Sequence, residues 1–379
     1  MRRLAVAGAR RISTPTSASS SPSLPCVGFI GLGNMGMSMA ENLAKSRLAG
    51  ETIYVFDVNK DAAQELSRKF PGVVIASPDV PSLARSCRII VTMVPATAHV
   101  ESLVYGHTAP PAPAATTTAA AAATGGSGIF ANALPGALLI DCSTIDPLTS
   151  KRLASEAAAL PARLTFIDAP VSGGVTGAAA ATLTFMLGAD SPEAVERASA
   201  VLQRMGKKIV LCGPPGSGGI TKLCNNLSLA VSMVGVAEAM NLGVALGMDP
   251  AKLSAVMNAS TARCWASDSY NPVPGVMEGV PASRNYAGGF GAALMRKDLG
   301  LAIDAAAAAG ALPPAAAAAA CAPAAASDGG AVAPDGQRRA ALPLGRRALE
   351  IYSGLVSQGH GGRDFGVVYE ALRAGRVEE

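Results

Sequence analysis

Gly31, Gly33 and Gly36 are spaced as GxGxxG, between an apolar run, CVGFIGLG from Cys26, and a run of helical character, MGMSMAENLAKSRLAG, closed by Gly50. The first glycine allows a tight strand-to-helix turn, the second lets a pyrophosphate approach the backbone, and the third lets helix and strand pack closely. With Leu32, Asn34 and Met35 these residues form a candidate dinucleotide turn, in which phosphate meets the unpaired N–H groups that open a helix. Met35, Met39 and Leu43 recur at helical spacing. Alone the pattern is weak, because any glycine-rich turn can imitate it; its place at the first strand–helix junction gives it weight. Asp57 ends the next strand-like run, TIYVFDVN, 21 residues after Gly36. An acid there can bind the adenosine ribose hydroxyls and repels a 2′-phosphate, so NAD is expected over NADP. The competing role for Asp57 is to cap the next turn, and Asn59 and Lys60 leave some tolerance of NADP open.

The alternation continues. Residues 61–69 read as helix, and VVIAS, RIIVTMVP and ALLIDCST as strands, which predicts a doubly wound, mostly parallel α/β sheet. LTFIDAP, LTFMLGA and KKIVLCG extend and close it. After Gly213 the character changes: PPGSGG is a hinge, and residues 220–247 read as one long helix, apolar all round and so expected to be buried on all sides. Helical patterns then run to the C-terminus. The expected organisation is a leader over residues 1–25, a nucleotide-binding domain over 26–213 and an all-α C-terminal domain over 214–379. Two alanine-rich, Pro- and Gly-containing stretches, 108–127 and 305–341, lack large apolar side chains and read as low-complexity insertions; an interaction helix within the second is the competing idea.

Charge and residue usage exclude several functions. The formal net charge is +4, and Arg2, Arg3, Arg10 and Arg11 carry all of it. Removing those four from the 31 basic residues leaves 27, equal to the 27 acidic ones, so nothing favours a nucleic-acid partner. Aromatic residues are only 4% of the chain, too few for base-stacking platforms. The leader is rich in Arg and Ser and no acid precedes Glu41, the composition of an organelle transit peptide. A mitochondrial address, in the matrix, is expected; a plastid address shares this composition. Seven dispersed cysteines without a CxxC pair read as free thiols, and three scattered histidines provide no zinc spacing, so no metal is expected. The longest apolar run, residues 227–237, is shorter than the ~20 residues of a membrane span.

GFIGLGNMG, TMVPAT, IDCSTIDP, DAPVSGGVTGA, KLCNN, AEAMNLG, RCWASDSYNPVPGVM and NYAGGFGAALMRKDLGLA together resemble the β-hydroxyacid dehydrogenases, and within them the 3-hydroxyisobutyrate dehydrogenase branch. The match covers about residues 27–304, apart from the first insertion, and resumes near Leu342. The resemblance implies a Rossmann-type domain, an all-α second domain, a site between them, and oligomerisation through the helices as a homodimer or homotetramer. It implies NAD-linked oxidation of a small β-hydroxy acid, a step of valine breakdown. The matching lysine, Lys222, is then the catalytic group and Asn226 orients the substrate; Ser172, Gly173 and Gly174 take the substrate carboxylate; Val94, Pro95, Thr144 and Lys297 lie at the cofactor, with Asp298 orienting Lys297. His99 departs from the pattern, which has Asn there.

The residues agree with these roles without dictating them. Lys222 and Asn226, four apart, share one helix face. Alcohol oxidation needs a base for the hydroxyl proton, and a lysine starts near pKa 10.4. A nicotinamide cation about 5 Å away, at an effective dielectric of ~20, contributes roughly 3 kcal/mol, or about two pK units. By residue type alone Lys222 reads as a solvated first-turn lysine, SGG as a plain turn, Lys297 with Asp298 as a surface ion pair, and Trp265, the single tryptophan, as core. Two other functions fit parts of the pattern: a glyoxylate, succinic semialdehyde or tartronate semialdehyde reductase, whose Asn-Arg-Ser/Thr run suited to NADP is replaced here by Asp57-Val58-Asn59, and a non-catalytic NAD-binding protein, which would lack the lysine.

Overall fold

The computed structural model describes residues 26–106, 126–308 and 341–377. The leader and most of both alanine-rich stretches lie outside these residues. The chain begins with β1 (Val27–Ile30), α1 (Gly36–Lys45), β2 (Ile53–Phe56), α2 (Lys60–Lys69), β3 (Val74–Ala76), α3 (Val80–Ser86), β4 (Ile89–Thr92) and α4 (Thr97–Tyr105). It continues through α5 (Ile129–Asn132), β5 (Leu138–Asp141), α6 (Pro147–Ala159), β6 (Thr165–Asp168), β7 (Val171–Ser172), α7 (Gly174–Ala179), β8 (Leu183–Gly188), α8 (Pro192–Leu202) and β9 (Gly206–Gly213).

Six strands run parallel in the order β3-β2-β1-β4-β5-β6. This is the dinucleotide-binding Rossmann order, with its switch point between β1 and β4. Period-two alternation sends neighbours to opposite faces. Phe29, Val91, Ile140 and Ile167 enter one core, and Ile30, Ile90, Leu139 and Phe166 the other. A sheet buried on both faces explains why these strands read as continuous apolar runs rather than alternating ones. The extension departs from a uniformly parallel sheet. β8 lies antiparallel to β6 and β7, because the chain returns from β6 after the six-residue α7 instead of a full crossover helix. β9 then pairs parallel with β8.

Beyond β9 the described chain is helical: α9 (Ser217–Ala245), α10 (Pro250–Ala259), α11 (Trp265–Asp268), α12 (Ala292–Ala308), α13 (Pro343–Leu355) and α14 (Val368–Arg373), with short 3₁₀ turns and one π turn between. α12 continues through Ala308, so it takes in the first residues of the second alanine-rich stretch. A third core gathers Met233, Met240, Tyr286, Met295, Tyr352 and Phe365 around α9. The helix is not buried all round, as its composition suggested. Lys222, Asn226, Met233 and Met240 are covered, whereas Ile220 and Leu242 are 43% and 62% exposed in the single chain. The helical assembly covers one side of α9, and its apolar residues extend beyond that side. By length and mean hydropathy (1.6) α9 could also cross a membrane, although its uninterrupted apolar run is short. The helix packs on β8, α12 and α14 and carries a buried polar pair, Lys222 and Asn226.

Helix starts divide into two kinds. α6, α8 and α10 begin on Asp146-Pro147, Ser191-Pro192 and Asp249-Pro250, where the first side chain accepts a backbone N–H and the proline occupies the first turn. α1, α4, α7 and α9 have no side-chain cap from their own N-cap residue, whereas α2 and α3, which also follow parallel strands, are capped by Asn59 and Asp79.

Candidate active site

The glycine turn is shaped as its spacing requires. Gly31 has φ +97°, and a Cβ there would lie 2.2 Å from the Met93 carbonyl oxygen. A Cβ on Gly36 would lie 1.9 Å from the Gly31 carbonyl oxygen, so only glycine lets α1 approach the turn. A Cβ on Gly33, by contrast, would meet nothing within 4 Å; Gly33 and Asn34 face open space, while Leu32 is buried and Met35 half-buried. An open backbone surface before an uncapped helix start fits a pyrophosphate. Asp57, just past β2, ties the turn down. Its Oδ2 accepts the Leu32 N–H at 2.6 Å and its Oδ1 the Asn59 N–H at 2.7 Å. The capping role weighed for Asp57 is therefore present, and it coexists with a ribose site, since each carboxylate oxygen keeps further acceptor capacity.

On α9 the lysine is not a solvated one. Lys222 sits in the second turn of α9, only 8% exposed, and its Nζ donates to Asn226 Oδ1 at 3.1 Å. Asn226 is held in turn: Asn225 Nδ2 donates to its Oδ1 at 3.0 Å, and its own Nδ2 donates to Asp298 Oδ2 at 2.6 Å. Burial holds the Lys222 pKa below the ordinary lysine value; the Asp298 carboxylate opposes this and the Lys297 ammonium adds to it. Asp298 Oδ1 lies 3.2 Å from Lys297 Nζ, an ion-pair distance without hydrogen-bond alignment.

Lys297 is also more than a surface cation. Its Nζ donates to the carbonyls of Pro95 and Thr144, at 3.1 and 2.8 Å, and so joins α12 to the ends of β4 and β5. Val94 is fixed beside them, its N–H donating to Ser143 Oγ at 2.9 Å. Lys222, Asn226, Lys297, Pro95 and Thr144 thus form one linked set, with Asp298 at its centre. Ser172, half-buried, and the exposed Gly173 and Gly174 make the tight junction of β7 and α7, where Gly173 has φ +136° and ψ −10°. His99 is exposed on α4. Trp265 is not core: it is 49% exposed, with one ring face stacked on Tyr270 at 4.6 Å, because the four-residue α11 lies at the surface.

Two buried carboxylates at neighbouring strand ends had no role in the sequence reading. Asp141 and Asp168 are register partners on β5 and β6. Asp141 is pushed up to about 6 by burial, against the donors Ser143 and Thr92. Asp168 Oδ1 accepts the Gly216 N–H at 2.6 Å and Oδ2 the Gly219 N–H at 2.7 Å. The available signal was an Asp closing a strand ahead of a glycine-rich helix start, some 48 residues apart, which no local pattern connects.

Residues 26–116 and 113–213 match the family model described as the NAD binding domain of 6-phosphogluconate dehydrogenase, and residues 216–337 match that described as NAD-binding of NADP-dependent 3-hydroxyisobutyrate dehydrogenase. A curated relative from Dictyostelium discoideum, named probable 3-hydroxyisobutyrate dehydrogenase, mitochondrial, is 44% identical over 93% of this chain and 92% of its own. The chain belongs to the β-hydroxyacid dehydrogenase family, in its 3-hydroxyisobutyrate dehydrogenase branch. Other members of that family bear on substrate choice. A relative named NAD-dependent L-serine dehydrogenase, from Pseudomonas aeruginosa, is 40% identical over 90% of this chain and 96% of its own. A solved 3-hydroxyisobutyrate dehydrogenase of Mycobacterium tuberculosis with L-serine is 34% identical, with a TM-score of 0.71 over 92% of this chain and 99% of that one.

Proposed function

We propose that the chain oxidises 3-hydroxyisobutyrate to methylmalonate semialdehyde, with NAD as acceptor and Lys222 as the proton acceptor. The observation that carries this is the buried Lys222 on α9, its pKa lowered by burial and its amine held by Asn226. When bound, NAD would supply the acceptor for the hydride that leaves the substrate carbon. The hydroxyl proton passes to Lys222 Nζ as the carbon–oxygen double bond forms, so charge and atoms balance. Asn226 Oδ1 accepts one N–H of the neutral amine, which leaves the nitrogen lone pair free to face the hydroxyl. Asp298 keeps Asn226 in that orientation and restrains Lys297, whose bonds to Pro95 and Thr144 close the helical side against the sheet. Ser172, Gly173 and Gly174 would receive the substrate carboxylate through a hydroxyl and backbone N–H donors. Gly31 to Gly36 and Asp57 would hold the pyrophosphate and ribose, and Val94, Pro95 and Thr144 the nicotinamide side.

L-serine is a second substrate reading, favoured by the Pseudomonas and Mycobacterium relatives; it shares the β-hydroxyl and carboxylate. The arginine-rich leader, together with the mitochondrial Dictyostelium relative, supports a location in the mitochondrial matrix. Exposed Ile220, Leu242 and Val256 on α9 and α10 support a homodimer or homotetramer built through the helices. The test is a panel of 3-hydroxyisobutyrate, L-serine and glyoxylate, each with both nicotinamide cofactors, followed by NADH or NADPH absorbance. The highest kcat/KM is expected for 3-hydroxyisobutyrate with NAD. A preference for glyoxylate with NADPH would move the chain to the reductases, and NAD binding without turnover of any would remove the enzymatic reading.

A further inference from the structure

We infer that Asp168 is a positioning residue for Lys222: its carboxylate, at the end of β6, fixes the start of α9 and so sets where the lysine nitrogen stands in the cleft. This deepens the proposed reaction and rests on the reading of Lys222 as its base.

α9 is 29 residues long, yet its N-cap residue is Gly216, with φ +89° and no side chain to satisfy the first-turn amides. Asp168 does so from another element, accepting from Gly216 and Gly219 at 2.6 and 2.7 Å. A negative charge there also complements the positive end of the helix. The contact is close-built on every side. A Cβ on Gly188 would fall 2.2 Å from Asp168 Oδ1, and one on Gly218 would fall 2.1 Å from the Met186 carbonyl oxygen and 2.9 Å from Asp168 Oδ2. The helix therefore docks on bare backbone, with a buried carboxylate as its fastener. Lys222 is one turn beyond Gly219, and Asn226 one turn beyond that. In the other direction from Asp168 the chain passes through Ala169 and Pro170 to Ser172, the start of the proposed carboxylate loop. One side chain thus sits where the lysine helix and the substrate loop diverge. Misplacing a reacting group by about 1 Å can cost on the order of a hundredfold in rate, so a loosened first turn reaches the chemistry without touching it.

The test uses the full chain with 3-hydroxyisobutyrate and NAD. Asp168→Asn keeps the volume that Gly188 and Gly218 accommodate, but turns one acceptor into a donor facing an N–H. The expected result is a kcat at least about tenfold lower, with the NAD Kd within about threefold of the parent. In a Lys222→Ala background the same change should alter the residual rate by less than about twofold, since a group acting through Lys222 has nothing left to act on. A kcat within twofold of the parent, or an equal loss in both backgrounds, overturns the inference. If Asp168→Asn does not fold, Gly218→Ala puts the same question by pressing the first turn away from Met186 and Asp168; a wild-type kcat there overturns it equally. Failure of the underlying reading shows separately, as a Lys222→Ala variant with undiminished turnover.

Discussion

The two walls of the candidate site are built by different means. The nucleotide wall is backbone: a turn between β1 and α1 with open space over Gly33, tied down by one side chain, Asp57. The lysine wall is side chain: Lys222, Asn226, Asp298 and Lys297, drawn from α9 and α12, which are joined by the Asn226–Asp298 bond across 72 residues and tied to the sheet by the Lys297–Thr144 bond across 153. A backbone wall recognises phosphate through groups that every residue carries, so its tolerance lies in shape. A side-chain wall proposed for proton transfer would act through one group, so its tolerance would lie in identity and environment.

Substitutions on the two walls should therefore fail differently. The largest effect is expected from Lys222→Ala: kcat lower by about a hundredfold or more, with NAD affinity retained, read by steady-state kinetics beside cofactor titration. Comparable losses of both would mean the two walls are not separable. Gly36→Ala should do the reverse. Its methyl would overlap the Gly31 carbonyl, costing about 1–3 kcal/mol in strain, so NAD KM should rise about tenfold while kcat at saturation changes little. The smallest shift is expected from Asp57→Asn, which keeps an oxygen for the Leu32 N–H but removes the charge that repels a 2′-phosphate. The ratio of kcat/KM for NAD over NADP should fall by up to about tenfold; an unchanged ratio would confine Asp57 to its capping role.

The same contrast explains what could be read from the residues. Asp57 reaches the glycine turn across 25 positions and Gly36 meets Gly31 within it, so spacing and period carry most of their meaning, although Gly31 also abuts Met93 just past β4; the parallel sheet follows from its alternating strands. The antiparallel return of β8 was not legible, because a short α7 and a full crossover helix differ in length more than in composition. Lys222 reads as solvated by residue type alone; its burial depends on Asp298 and the helices that pack over α9, and resemblance rather than pattern singled it out. Asp168 was invisible as a cap because the helix it serves begins 49 residues later. Trp265 misled in the other direction, since a large ring is a better guide to contact than to depth.

The pH dependence of kcat in both directions tests the central claim most directly. Burial lowers the Lys222 pKa, so the unprotonated base gains population as pH rises through a value below lysine's ordinary 10.5. Oxidation should accelerate and the reverse reduction should slow across that single titration, and Lys222→Ala should abolish both limbs. The same limbs persisting unchanged in the Lys222→Ala variant would show that another group carries the proton.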